Sequence, residues 1–237
     1  MKKILAVFAH PDDETFGPGA TLAKYAALGA TIHVVTATRG EAGENHLKVK
    51  IDVPLGVIRE RELHAADKIL GVSQNDFLGF IDGTLRQELY FDIAKKLITK
   101  IETFRPDVIL TSELHGVSGH LDHVAMSFIT TYAYLKTNIA KKLYYFCLPE
   151  KNTLLRDQKY FIYFPEGYPE SKITTRIDVD KYWPTKIQAM LEYKSQMKDV
   201  ERLKKSLIKA PKIDNFILKY HRLKKVHLPE TDLFAGI

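Results

Sequence analysis

The sequence predicts an α/β protein, a Rossmann-like three-layer sandwich around a mostly parallel sheet with an irregular C-terminal portion. Three observations carry that expectation. Short apolar runs of strand length alternate with segments of helical periodicity, which is the pattern of βαβ units. No segment between them is long or biased enough to be a linker or a repeat, and right-handed crossovers then wind such units into one doubly wound sheet. Clusters of polar residues follow three of the apolar runs, and the C-terminal ends of strands are where such folds place ligands. The regular alternation ends near Pro149. We therefore read residues 1–150 as a Rossmann-like core and 151–237 as a mixed portion of one domain spanning 1–237.

The elements follow in order. Residues 4–8 are an unbroken apolar run and read as a first, buried strand. Residues 21–28 carry Leu22, Tyr25 and Ala26 at helical spacing, and Gly29 stands where a glycine commonly ends a helix. Residues 31–36, with Ile32, Val34 and Val35, form a second strand. Residues 57–70 read as a helix with alternating charge, Arg59-Glu60-Arg61-Glu62, stopped by Gly71. A short strand is expected at 77–80. Ile93, Leu97, Ile98 and Ile101 make 89–104 an amphipathic helix, and Pro106 separates it from a strand at 108–110. A helix at 123–135 and a strand at 143–147 complete the core. The mixed portion is expected to hold antiparallel strands at 160–164, 172–177 and 215–220 and a helix near 183–196.

Composition excludes several classes. A single cysteine, Cys147, rules out a disulfide framework and a cysteine-based zinc site, so any metal must be held by histidine and carboxylate. The chain enters its first strand directly and has no apolar run of about 18 residues, so neither a signal peptide nor a membrane span is expected. A cytoplasmic location is the simplest expectation. The net charge of +6, from 35 basic and 29 acidic residues, favours acidic partners. The excess lies in the last quarter, as in Lys204-Lys205 and Lys224-Lys225, without interleaved aromatics. It therefore reads as a solvated basic face and not as a nucleic-acid surface.

The first polar cluster is His10, Asp12, Asp13 and Glu14; the second is Arg39, Glu41 and Glu44 with Gly40 and Gly43; the third runs Glu113, His115, Ser118, His120, Asp122, His123. In a parallel sheet all three converge on one edge. A catalytic zinc takes three histidine or carboxylate ligands and keeps a position for water. His10 and Asp13 share one turn, and the 120–123 segment offers two imidazoles for a third ligand. Asp12, beside Asp13, fits a general base by position, and His120 with Asp122 fits a group that polarises a carbonyl or protonates a leaving amine. The bland alternative is a helix start capped by aspartate and a separate polar loop. Two such motifs, each after a strand, make the metal site the stronger reading. Gly17 and Gly19 lack the spacing of a dinucleotide fingerprint. Tyr160, Tyr163 and Tyr168 could stack on a sugar face, although packing is the default for them.

The chain resembles the LmbE-like, or PIG-L, family of zinc-dependent N-deacetylases. The resemblance rests on Ala-His-Pro-Asp-Asp-Glu at 9–14, Thr-Arg-Gly-Glu at 38–41, Arg-Glu-Arg-Glu-Leu at 59–63, Arg-Pro-Asp-Val at 105–108 and Ser-Gly-His-Leu-Asp-His at 118–123. It implies a Rossmann-like fold and hydrolysis of the acetyl group from an N-acetylglucosamine-type small molecule, sometimes bearing an anionic aglycone, through a zinc-held water. It implies His10, Asp13 and His123 as metal ligands, with Fe2+ as the other candidate ion. It implies Asp12 as general base, His120 as oxyanion stabiliser or acid oriented by Asp122, and Arg59, Arg39 and Glu41 on the substrate side. Members often assemble into homo-oligomers. Where the family often has proline within the second motif this chain has Leu121, which alters loop stiffness more than ligand chemistry. Two other readings remain open at this stage: a different metal-dependent amide or ester hydrolase on the same scaffold, or a non-catalytic sugar-nucleotide binding module.

Overall fold

A computed structural model of the chain describes residues 1–47, 52–150 and 165–237. Its elements run β1 (Lys3–Phe8), α1 (Asp13–Phe16), α2 (Gly19–Ala27), β2 (Thr31–Thr36), α3 (Leu55–Leu70), β3 (Gln74–Phe77), α4 (Tyr90–Phe104), β4 (Val108–Ser112), α5 (Gly116–Gly119), α6 (Leu121–Lys136) and β5 (Lys142–Cys147). They continue with β6 (Thr175–Asp178), α7 (Trp183–Met190), α8 (Met197–Lys209) and β7 (Ile213–His221). The strands form one sheet in the order β3-β2-β1-β4-β5-β7-β6. The first five pair in parallel, while β7 runs antiparallel to both β5 and β6.

Side chains alternate across each strand with a period of two, and the core divides accordingly. Leu5, Val7, Val35 and Ile109 pack under Leu97 and Ile101 of α4 and Met126 and Ile129 of α6. Ile4, Ala6, Phe8, Ile32 and Val34 face the other way, onto Leu22 and Tyr25 of α2 and Trp183 of α7. A third cluster joins Leu63 and Leu70 of α3 to Met190, Tyr193 and Val200 of the C-terminal portion. Each fully buried aliphatic side chain of this kind is worth about 1.5–3 kcal/mol over its exposed state. Because the crossover helices after β1 and β2 lie on one face and those after β3 and β4 on the other, the winding reverses between β1 and β4. A ligand crevice is expected outside the carboxyl ends of those two strands.

Several boundaries differ from the sequence expectation. The third strand is 74–77, not 77–80. It is a half-exposed edge whose polar residues pair with β2, with His33 Nε2 2.8 Å from Asp76 Oδ2. The apolar Leu78 and Phe80 beyond it join the core as loop residues. The helix expected near 183–196 ends at Met190 and is followed by a 3₁₀ turn, Lys194–Gln196. Helix α8 was not anticipated. Its apolar residues Val200, Leu203 and Leu207 keep helical spacing, but its lysine-rich composition reads as a solvated surface. The strand expected at 172–177 is a 3₁₀ turn, Glu170–Lys172, followed by β6. The strand proposed at 160–164, with Tyr160 and Tyr163, lies outside the described residues. No helix among the described residues is long and apolar enough to cross a membrane.

Candidate active site

The turn after β1 starts from an unusual backbone. Asp12 sits at φ 99°, ψ −28°, a region that aspartate enters more readily than most residues. Its carbonyl accepts the N–H groups of Thr15 at 3.0 Å and Phe16 at 2.7 Å, which opens α1. Asp13, now in the first helical turn, folds back so that Oδ2 accepts the N–H groups of Ala9 (3.2 Å) and His10 (3.0 Å). The turn after β4 approaches from the neighbouring strand. α6 begins at Leu121, two residues before the expected start, with His120 as its N-cap. That placement puts Asp122 and His123 in its first turn, facing His10 and Asp13.

The three expected metal ligands converge. His10 Nδ1 lies 3.0 Å from His123 Nε2, His123 Nε2 lies 3.2 Å from Asp13 Oδ1, and His10 Nδ1 lies 3.9 Å from Asp13 Oδ2. Ligands about 2.0–2.1 Å from a tetrahedral ion stand about 3.3 Å apart; the His10–His123 and His123–Asp13 Oδ1 separations match that spacing, while the contact of Asp13 with His10 is made by its other oxygen. Metal-bound histidines anchor their outward nitrogen on a hydrogen-bond partner, and the two rings meet this differently. His123 Nδ1 is 3.0 Å from the Gly116 carbonyl. His10 Nε2 is 2.8 Å from Asp82 Oδ1, an ion-pair contact off the N–H axis, and 3.4 Å from Asp122 Oδ2. His120 brings a third imidazole, with one nitrogen of each ring within 4.8 Å of the others.

The electrostatics separate the roles. Burial would lower the His10 pKa, but the adjacent carboxylates of Asp122, Asp82 and Asp13 raise it to about 10. The surrounding carboxylates favour a positive charge here, carried by a proton on His10 in the metal-free protein and displaced from the ligating nitrogen when a cation binds. Burial would raise Asp13, yet the charges of His123 and His10 and the His10 N–H bring it below the ordinary carboxylate range. Asp12 goes the other way: desolvation, with the neighbouring charges of Asp13 and Glu14, holds it well above the usual range although Arg59 and His10 oppose the shift. Burial, followed by the charges of His123 and His10, depresses His120 to about 4.

Asp122 corrects one expectation. Its carboxylate accepts the Gly83 N–H at 2.7 Å and lies 3.4 Å from His10 Nε2. Its backbone N–H donates to His120 Nδ1 at 3.2 Å, and the carboxylate acts on that ring through its charge. A neutral His120 with Nδ1 as acceptor carries its proton on Nε2. It is therefore a hydrogen-bond donor at neutral pH, not a ring kept protonated by an adjacent carboxylate.

Arg59 lines the cleft but is 5% exposed; both its Nη atoms donate to protein, while the buried Nε has no hydrogen-bond partner among the described residues. Nη2 reaches Asp12 Oδ2 (2.8 Å) and the Pro11 carbonyl (2.6 Å), and Nη1 reaches the Gly40 carbonyl (2.9 Å). Gly40 is at φ +67°, and a Cβ there would fall 2.3 Å from Arg59 Nη1, so only glycine fits. Arg39 and Glu41 do not line the cleft. Arg39 pairs with Glu60, and Glu41 accepts the N–H groups of Arg39 and Asp82. Tyr168 also stays off the cleft: its ring stacks on His115 at 5.9 Å. Asp82, not singled out from sequence, is the main addition. Burial would raise it, but its contacts with His10 and the Ala42 N–H lower it to about 2. It follows β3 as the recognised clusters follow their strands, and that placement was the available signal.

The cleft has a volume of about 550 Å³, the size of a small-molecule site. Its lining includes His10, Asp12, Asp13, His120 and His123 and, from the C-terminal portion, Gln196, Lys198, Asp199, Arg202 and Leu203.

Residues 5–134 match the family model PIG-L, described as GlcNAc-PI de-N-acetylase. The chain belongs to the PIG-L family. A 1D-myo-inositol 2-acetamido-2-deoxy-alpha-D-glucopyranoside deacetylase from Nocardiopsis dassonvillei is 32% identical, covering 98% of this chain and all of the relative. The enzyme of the same name from Thermobifida fusca is 33% identical over 83% of this chain and 84% of its own length. Among solved structures, the N,N'-diacetylchitobiose deacetylase from Pyrococcus horikoshii superposes with TM-score 0.67 at 18% identity, covering 91% of this chain and 82% of that one. A 4-carboxy-2-hydroxymuconate hydratase from Pseudomonas putida gives TM-score 0.70 at 19% identity, covering 96% and 100%. The two structural likenesses establish the α/β fold alone. The PIG-L match contains His10, Asp12, Asp13, His120 and His123, with Arg59 and Asp82, whereas the α8 part of the lining lies outside it.

Proposed function

We propose that the protein hydrolyses the acetamide of an N-acetylglucosamine-type small molecule, releasing acetate and a free amino sugar, with Zn2+ held by His10, Asp13 and His123. The observation that carries this reading is that His10 Nδ1 and His123 Nε2 meet at 3.0 Å with Asp13 Oδ1 3.2 Å from His123, beside an aspartate whose pKa burial holds up. When bound, a divalent ion there supplies Lewis-acid polarisation of the amide carbonyl and acidifies water.

The chain supplies the remaining steps. Asp12, fixed by Arg59, takes a proton from the attacking water. His120 donates its Nε2 proton as a hydrogen bond to the oxyanion that develops on the amide, a contribution of about 3 kcal/mol for a well-placed donor. The proton on Asp12 then passes to the departing amine nitrogen, which restores the base. Asp82 and Asp122 hold His10 with Nδ1 inward. Arg59 acts through Asp12, and Arg39 and Glu41 act through the turn that carries Gly40.

The far end of the cleft, with Lys198 and Arg202 beside Asp199 and Glu44, has mixed charge. It suits a polar aglycone, with anionic ones among the candidates. The lone cysteine is a buried free thiol, in keeping with a reducing cytoplasm. The deciding experiment is acetate release from a panel of N-acetylglucosaminides with neutral and anionic aglycones, with metal added and with chelator. Metal-dependent acetate from at least one is expected. No acetate from any, with metal bound, would overturn the reading.

A further inference from the structure

We propose that the C-terminal portion sets the geometry of the active site through two tyrosines, Tyr193 and Tyr168, each closing a buried glutamate that holds one strained turn of the cleft. Glu14, Glu113 and the two tyrosines are then positioning residues. The kinetic arm of the test rests on the deacetylase reading above.

The two turns are built alike. In the first, Asp12 occupies positive φ, and Glu14 Oε2 accepts its N–H at 3.0 Å. The other oxygen of Glu14 receives the Thr15 hydroxyl and, at 2.5 Å, the Tyr193 hydroxyl. Tyr193 is fully buried and packs edge-on against Phe16, 5.7 Å between rings. In the second turn, Val117 sits at φ 62°, ψ −50°, a conformation foreign to a β-branched residue. Glu113 Oε1 accepts the Val117 N–H at 2.6 Å, and Oε2 accepts the His115 N–H and the Tyr168 hydroxyl at 2.7 and 2.8 Å. Tyr168 is itself fixed by backbone hydrogen bonds to Leu148 and Glu150.

A residue in a sparsely populated backbone conformation persists only where its surroundings over-determine it. Here each determinant is a carboxylate outside the proposed metal set, and each is steered by a hydroxyl delivered from beyond residue 165. One clamp fixes the base Asp12. The other fixes the turn that carries His120 and supplies, through Gly116, the acceptor for His123. The donor sets differ in one respect. Glu113 receives a backbone N–H on each oxygen, and neither donor can reverse. Glu14 receives one backbone N–H, and its other two partners are hydroxyls, which can turn and accept. Glutamine at 14 can present its oxygen to Asp12 and its amide to the hydroxyls. Glutamine at 113 must aim an N–H at an N–H.

The experiment compares Y193F, Y168F, E14A, E14Q and E113Q by kcat and KM for acetate release, by bound metal, and by hydrogen exchange of the metal-free protein over residues 10–17 and 113–120. Y193F and Y168F are expected to lower kcat about 10- to 100-fold with KM little changed, as small misplacements of catalytic groups do. Exchange should rise in the first segment for Y193F and in the second for Y168F. E14Q should recover most of the turnover lost in E14A, while E113Q should not recover. Wild-type kcat and exchange in both phenylalanine variants would overturn the proposal, as would equal losses in E14Q and E113Q. Should the wild-type protein release no acetate, the deacetylase reading fails, and the segment-specific exchange still decides the clamps.

Discussion

Replacing Glu14 by glutamine should change stability by an amount that depends on pH. Glu14 has no solvent exposure, and desolvation raises its pKa from 4.5 to about 7, although the hydrogen bonds from Thr15 and Tyr193 oppose the shift. A carboxyl whose folded pKa lies above its unfolded value favours folding most below the unfolded value. That contribution is lost as pH rises from the unfolded value to the folded one, because over that range the unfolded chain sheds the proton that the folded protein must keep. At about 1.4 kcal/mol per pH unit, the gap between 4.5 and about 7 corresponds to about 3 kcal/mol. Glutamine mimics the protonated form and titrates nowhere. The stability of E14Q relative to wild type should therefore rise by about 3 kcal/mol between about pH 4 and pH 8, most of it between pH 4.5 and 7. Urea unfolding in the presence of a chelator measures this without the added stabilisation of a bound ion. A difference between the two proteins that is the same at both ends of the range would refute the reasoning, as would a relative loss by E14Q at high pH.

The remaining predictions concern the site more directly. D12A should keep its metal by elemental analysis and lose kcat by a factor on the order of 10² to 10⁴; full activity with metal bound would remove Asp12 as the base. D82N should weaken metal affinity about 10- to 100-fold in a chelator competition, because His10 loses the carboxylate that orients its ring and raises its basicity. G40A should lower stability by about 1–3 kcal/mol in urea unfolding, from the positive φ alone. It should also lower kcat, since the new Cβ displaces Arg59 from Asp12; unchanged kcat in folded G40A would argue against Arg59 acting through that aspartate.

The parallel core was legible because its signals are local and periodic. The run at 4–8 is uniformly apolar and 31–36 carries Ile32, Val34 and Val35 because both faces of those strands are covered, by α4 and α6 on one side and α2 and α7 on the other. The same rule misplaced β3: an edge strand needs little apolar surface, so its polar Gln74-Asn75-Asp76 gives no strand signal while Leu78 and Phe80 beyond it do. In the site, residues were legible and partners were not. The pairing of Asp122 with His10 depends on where α6 begins, and the burial of Arg59 depends on Gly40, nineteen positions earlier, lacking a side chain. Asp82, α8 and the tyrosine clamps lie in segments whose local pattern is that of ordinary loop or surface, and their roles come from contacts across more than 30 residues of chain.

Two parts of the cleft lining have different origins in the chain, and this bears on how the protein can change. The part that carries the metal donors is drawn from turns after β1 and β4 within the PIG-L match, and the other comes from one helix near the C-terminus outside it. Substitutions at Lys198, Asp199, Arg202 or Leu203 therefore alter what fits the cleft without touching a donor atom. Ligand choice can drift along one short stretch of sequence while the reaction stays constant. Grafting α8 between family members is accordingly the shortest route to a new acceptor preference.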